Sequence, residues 1–148
     1  MPAPNLARPI VQLKRVETFS AAHRLHSTEL SDEENLQIFG KCNNPNSHGH
    51  NYTWEAVLKG PVDPRTGMVY NLADLKKEMA VVLEMVDHKN LDKDVAYFRD
   101  NNIISTTENL AVFLYTELKN RMRSPELLYE VTVRETDKNI FTFSGSFS

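Results

Sequence analysis

The sequence predicts an α+β domain: a four-stranded antiparallel sheet with two helices on one face, in the order strand, strand, helix, helix, strand, strand. Three stretches carry that expectation. Tyr52, Trp54, Ala56 and Leu58 alternate through residues 51–60, the two-residue period of a strand with one buried face. Leu72, Leu75, Met79, Val82 and Val86 recur at helical spacing, the stripe of an amphipathic helix. Residues 127–135 alternate again, and Asp137-Lys138-Asn139 turns them into a last strand, which reads as a hairpin. Strands at both ends with helices between them place the helices together on one side of the sheet.

In chain order, 148 residues fit one domain with one core. Residues 1–9 hold three prolines and no apolar run, so they read as a flexible arm before a single domain at 10–148. Ile10–His23 is expected to be a long strand with Phe19, Ala21 and His23 on one parity after Val16. Glu17, Ser20 and Ala22 break the alternation, which predicts a bulge or bend there. Ser31-Asp32-Glu33-Glu34 is a capping-box pattern opening a two-turn helix to Phe39. Gly40 suits its end, and Asn43–Ser47 has the composition of a loop. Cys42 is therefore expected on a loop near His48 and His50, outside the core.

Gly60-Pro61 and Asp63–Gly67 end the second strand. Asn71 is the expected cap of the first long helix, with Lys76, Lys77 and Glu78 facing outward. That helix stops at the polar run Asp87–Asp92. Ser105-Thr106-Thr107-Glu108 is a second capping box, followed by a stripe of Leu110, Phe113, Leu114, Leu118 and Met122. In the hairpin, Tyr129, Val131 and Val133 are expected to share a face with Glu135, and the last strand to run from Ile140 to Phe147. A sheet with two open edges and one bare face predicts self-association.

Composition narrows the function. A net charge of -3 with no Lys/Arg block argues against a general nucleic-acid binder and leaves room for a small anionic substrate. One cysteine excludes an internal disulfide, and no targeting segment is seen, so a reducing, cytoplasmic setting is expected. No apolar stretch approaches the roughly 20 residues needed to cross a bilayer.

The chemistry gathers around Lys41–Tyr52, which contains Cys42 and the pair His48-Gly49-His50. In an extended chain, residues two apart point to one side, so both imidazoles converge on one point. Zinc takes such nitrogens at about 2.0–2.1 Å, and a catalytic zinc keeps three protein ligands and one open position. His23, at the end of the first strand, is the third candidate. Cys42, Asp87 and His88 form a candidate acid–base set, because a thiol beside a metal or imidazolium can act as base or nucleophile. Adjacency alone does not favour a hydrogen bond between Asp87 and His88. The plainer reading of that pair is a helix C-terminal turn in which His88 complements the dipole. Glu135 is a carboxylate on an apolar strand face, suited to a guanidine-like edge that offers two parallel N–H groups. Its plainer reading is a solvated strand end. His26 reads as a surface residue with no role.

These pieces resemble the 6-pyruvoyl tetrahydropterin synthase family. The resemblance rests on Phe19–Leu25, Leu30–Leu36, Gly40–Tyr52, Asn71–Lys77, Asp87–Asp92, Ser105–Asn109 and Glu135–Asp137, and spans Val16 to Asn139. Ser47 departs from the glycine often found there. The resemblance implies the tunnelling fold, with three subunits closing their sheets into a barrel and two trimers stacking as a homohexamer. It also implies a Zn2+ enzyme of tetrahydrobiopterin synthesis, which takes 7,8-dihydroneopterin triphosphate to 6-pyruvoyl-tetrahydropterin and triphosphate. By the same resemblance His23, His48 and His50 hold zinc, and Cys42, Asp87 and His88 move protons. Glu135 anchors the pterin with Thr106 and Thr107 nearby, and Arg24, Lys41 and Lys89 are candidates for the triphosphate. The alternatives are a 6-carboxy-tetrahydropterin synthase of queuosine synthesis and a non-catalytic pterin- or purine-binding domain with structural zinc.

Overall fold

The computed structural model describes residues 7–148, so residues 1–6 of the expected arm lie outside the described residues. Strand β1 (Ile10–His23) pairs antiparallel with β2 (His48–Pro61) along its whole length, from Ile10 opposite Pro61 to His23 opposite His48. Between them lies helix α1 (Asp32–Phe39), closed by the expected capping box: Ser31 accepts from the Glu34 N–H, and Glu34 accepts from the Ser31 N–H. Gly40 leaves this helix at φ 56°, a conformation open to glycine.

Helix α2 (Leu72–Val86) is capped by Asn71, whose side chain accepts from Ala73 and Asp74. A short strand β3 (Lys89–Asn90) follows, then two single-turn helices, α3 (Leu91–Asp94) and α4 (Ala96–Arg99). Helix α5 (Thr107–Arg121) leads to the hairpin β4 (Leu128–Arg134) and β5 (Ile140–Phe143). The core lies between the sheet and the long helices. Tyr52, Trp54 and Leu58 of β2 meet Leu75, Met79, Leu110, Leu114 and Leu118 there, all fully buried. Each buried leucine contributes on the order of 1.5–3 kcal/mol.

Several expectations need correction. The sheet has five strands in the order β3-β1-β2-β4-β5 and is mixed, because β3 runs parallel to β1 at Ala21 and Ala22. His88 causes this: at φ 61° it turns the chain back, and its N–H donates to Ser20 O at 2.6 Å. Two residues of strand and single-turn helices leave no period to read in a sequence, yet Leu91, Val95 and Phe98 bring that segment into the core.

The expected bulge in β1 is absent; the register with β2 is unbroken, and Val16 is half exposed. The irregularity lies in β4, where Val57 faces Glu130 and Leu58 faces Leu128. Tyr129 is the extra residue. It is exposed, with Lys59 Nζ 5.0 Å above its ring, so it does not share the face of Val131 and Val133. β5 stops at Phe143 because Gly145, at φ 87°, brings the chain onto Tyr115; a Cβ there would stand 2.6 Å from the phenol oxygen.

Three helix details also differ. Thr106, not Ser105, caps α5, with its hydroxyl accepting from Asn109. Glu78 is not turned outward: it accepts from Tyr70 Oη at 2.7 Å and from the Arg123 N–H at 2.9 Å. Leu72, the first residue of α2, is exposed rather than part of the buried stripe.

Candidate active site

His23 and His48 face each other across β1 and β2, and His50 lies opposite Ala21. The three rings share the inward parity of Tyr52 and Trp54. One nitrogen from each lies within 4.8 Å of the others, and the ring centroids are 4.6–5.2 Å apart. His23 is almost fully buried, and its Nδ1 donates to Ser105 O at 2.6 Å. A carbonyl only accepts, so the proton sits on Nδ1 and Nε2 keeps its lone pair. His23 Nε2, His48 Nδ1 and His50 Nε2 are buried without a hydrogen-bond partner among the described residues.

Burial pushes the pKa of His23 below the usual imidazole range, and the neighbouring His48 and His50 add to this against the Ser105 bond. Burial, then His50, does the same to His48. Neutral rings are the form that binds a metal. Three clustered imidazoles with unpaired buried nitrogens fit a zinc ion with an open fourth position.

Beside them stands Glu135, just past β4, with its N–H donating to Asn139 O. Its Oε1 accepts from Thr107 Oγ1 at 2.8 Å and lies 3.6 Å from His50 Nε2. The side chain is 19% exposed, so Glu135 is not a solvated strand end. Tyr52 completes this floor. Its hydroxyl is buried without a partner among the described residues, and burial, then the Glu135 charge, pushes its pKa above the ordinary phenol range. It stays a neutral donor.

Other candidates fall elsewhere in the chain. Asp87 and His88 lie within ion-pair distance, Nδ1 to Oδ1 at 3.0 Å, because the left-handed turn at His88 folds the ring back onto its neighbour. Asp87 Oδ1 also accepts from the Ser20 N–H, which lowers its pKa ahead of the effect of His88. His88 is exposed and borders a cavity of about 440 Å³ framed by Ser20, Ala22, Gly49 and Asn51, with His50 also in its lining. The first four have the outward parity of the sheet, whereas the three histidine rings cluster on the inward one.

Cys42 is partly exposed on a 3-10 turn over Gly40–Asn43. Its carbonyl accepts from the Leu25 N–H at 2.9 Å, which ties the turn to the chain just past His23. Thr107 reaches Glu135, whereas the Thr106 hydroxyl is spent on the helix cap. Arg24 is fastened by Nε to Asn43 O, and Lys89 lines the His88 cavity. Arg24 and Lys89 border different cavities, and Lys41 is simply exposed. His26 is not a bare surface residue: its Nδ1 is 3.0 Å from Asn43 Nδ2.

Sequence reasoning passed over Ser105, Asp92 and Tyr52. A run of Ser-Thr-Thr before a helix allows only one N-cap, and that was the available signal that another hydroxyl had separate work.

The comparisons with known proteins agree with this geometry. Residues 12–146 match the family model described as 6-pyruvoyl tetrahydropterin synthase. The chain is 55% identical to a 6-pyruvoyl tetrahydrobiopterin synthase of Drosophila melanogaster, over 95% of this chain and 83% of that one. It is 54% identical to the Homo sapiens protein of the same description, over 90% and 91%. The solved structure of Caenorhabditis elegans 6-pyruvoyl tetrahydropterin synthase superposes with a TM-score of 0.92 at 58% identity, covering 95% of this chain and all of that one.

Proposed function

This chain belongs to the 6-pyruvoyl tetrahydropterin synthase family, lyases of tetrahydrobiopterin synthesis, and on that premise we propose that it converts 7,8-dihydroneopterin triphosphate to 6-pyruvoyl-5,6,7,8-tetrahydropterin with release of triphosphate. The observation that supports this most is the pairing of a three-imidazole cluster with a partly buried carboxylate 3.6 Å from one of its rings. In this reading His23, His48 and His50 hold zinc and Glu135 grips the pterin edge. Bound there, zinc supplies Lewis-acid polarisation of substrate oxygens and so acidifies the neighbouring C–H bonds.

Glu135 orients the ring. Thr107 occupies Oε1, which leaves Oε2 as an acceptor for a pterin N–H. Thr106 contributes by capping the helix that carries Thr107. Cys42 takes a proton from the substrate side chain, and the Asp87–His88 pair handles a second transfer and departure of the triphosphate. The electrons that reduce the ring come from the side chain by tautomerisation.

The outward placement of His88 is accounted for if the pair serves the site of a neighbouring copy. Residues 10–20 of β1 form an open edge at one end of the sheet, and β5 forms the other. Copies can therefore join head to tail, in keeping with three sheets closing into a barrel and two such trimers stacking. Residues 10–148 act in this reading as one catalytic domain behind the arm at 1–9, and the setting is cytoplasmic. Among the described residues no helix is long and apolar enough to cross a membrane.

The test is a product assay on dihydroneopterin triphosphate with the zinc-loaded protein. The pyruvoyl product with one triphosphate per turnover is expected. Formation of only the 6-carboxy product, or zinc and pterin binding without triphosphate release, would overturn the assignment.

A further inference from the structure

Asp92 lies outside the three-histidine cluster, yet its two oxygens hold both sides of the deepest of the three rings. Oδ1 accepts from Ser105 Oγ at 2.6 Å, and the carbonyl of that same serine accepts from His23 Nδ1. Oδ2 accepts at 2.7 Å from the N–H of Arg24, the residue directly after His23. The carboxylate thus fixes the backbone on which His23 is mounted and the group that orients its ring. Asp92 is itself fixed, since its N–H donates to Asn90 Oδ1 at 3.0 Å in the cap of α3. Ser105 is completely buried.

We propose that Asp92 is a positioning residue for the metal centre, acting through Ser105 to set the tautomer and aim of His23. A metal-bound histidine ordinarily gives its second N–H to a carbonyl or carboxylate, and that partner orients the ring. Here the two roles are divided: a carbonyl takes the proton, and a carboxylate one residue removed holds the carbonyl in place. The hydrogen bond from the Ser105 hydroxyl couples the serine to a full negative charge without placing that charge on the ring. This inference rests on the zinc reading above.

The experiment compares wild type, Asp92→Asn and Ser105→Ala. Zinc affinity is measured by competition with a chromophoric chelator, the visible spectrum of the Co2+-substituted protein is recorded, and melting is followed with and without metal. Asp92→Asn is expected to weaken zinc roughly 10- to 100-fold, the usual effect of losing a ligand's supporting partner, and to alter the cobalt bands. Ser105→Ala keeps the carbonyl and is expected to weaken zinc by roughly tenfold through the same route. Should Asp92→Asn fail to fold, the serine variant decides alone. Unchanged zinc affinity and cobalt spectrum, with melting lowered equally in apo and loaded protein, would make the network merely structural and overturn the inference. Wild type that takes up no stoichiometric zinc would instead bring down the metal reading itself.

Discussion

Glu135→Gln separates recognition from chemistry. The substitution is nearly isosteric, and Thr107 still finds an acceptor in the amide oxygen, so fold stability should move by no more than about 1 kcal/mol. The ligand-facing atom changes more. Glu135 presents Oε1 to Thr107 and lies 3.6 Å from His50, so an amide that keeps its oxygen on the threonine turns N–H groups toward the pterin donors. One charge-assisted hydrogen bond, about 1.5–3 kcal/mol, is lost. At 1.4 kcal/mol per tenfold, pterin affinity should fall roughly 10- to 150-fold. The assay is calorimetric titration with a dihydropterin, run beside kinetics at saturating substrate. A fall in affinity with turnover preserved assigns Glu135 to binding alone, and a parallel fall in turnover adds a proton-relay role. Unchanged affinity would refute the reasoning and place the pterin anchor elsewhere.

Cys42→Ala should keep zinc and pterin affinity but lose about 10²–10⁴-fold in turnover, the span for removing a general base; full activity would strike Cys42 from the mechanism. His48→Ala should lose zinc with the fold intact, and metal analysis showing stoichiometric zinc in an active variant would remove it from the ligand set. Protein stripped of metal should lose stability as pH falls below about 6.5. His23 and His48 titrate lower folded than unfolded, so the unfolded chain takes up more protons there, at up to about 1.4 kcal/mol per pH unit for each histidine. Melting scans across pH check this, and His23→Gln should flatten the slope. Ser47→Gly should stabilise by about 0.5–1 kcal/mol, because φ 68° strains serine more than glycine's extra chain entropy costs; a lower melting temperature would contradict it. Sedimentation should show assembled trimers or hexamers, and a fully active monomer would contradict the shared-site reading.

What the sequence disclosed followed from period. Alternation put Tyr52, Trp54, Ala56 and Leu58 on one side, and the same count put His48 and His50 with them, as the structure has it. His23 joined them because it ends a strand whose partner begins at His48. The helix caps at Ser31 and Asn71 were legible because capping side chains act within three residues. What depends on contacts distant in sequence was not legible. Ser105 reaches Asp92 and His23, and Glu135 meets Thr107, only once α5 lies on the sheet. The parallel strand at Lys89–Asn90 came from a left-handed residue at His88, and although histidine is enriched in that conformation, the enrichment is too weak to mark one position. The sequence also misplaced the bulge, since uneven polarity in β1 reflects exposure rather than a break in pairing.

The extra residue at Tyr129 has a consequence for how this strand tolerates changes in length. Upstream of it Leu128 points into the core; downstream Val131, Val133 and Glu135 do so, an odd step that only a supernumerary residue permits. Deleting Tyr129 would close the bulge and leave Leu128, Glu130, Val131 and Val133 in plain alternation, so every downstream side chain would keep its face. The strand can therefore lose this one residue and still hold Glu135 beside the histidines. Deleting Thr132, in the regularly paired stretch, would instead turn Val133 and Glu135 to the opposite face and should silence pterin binding.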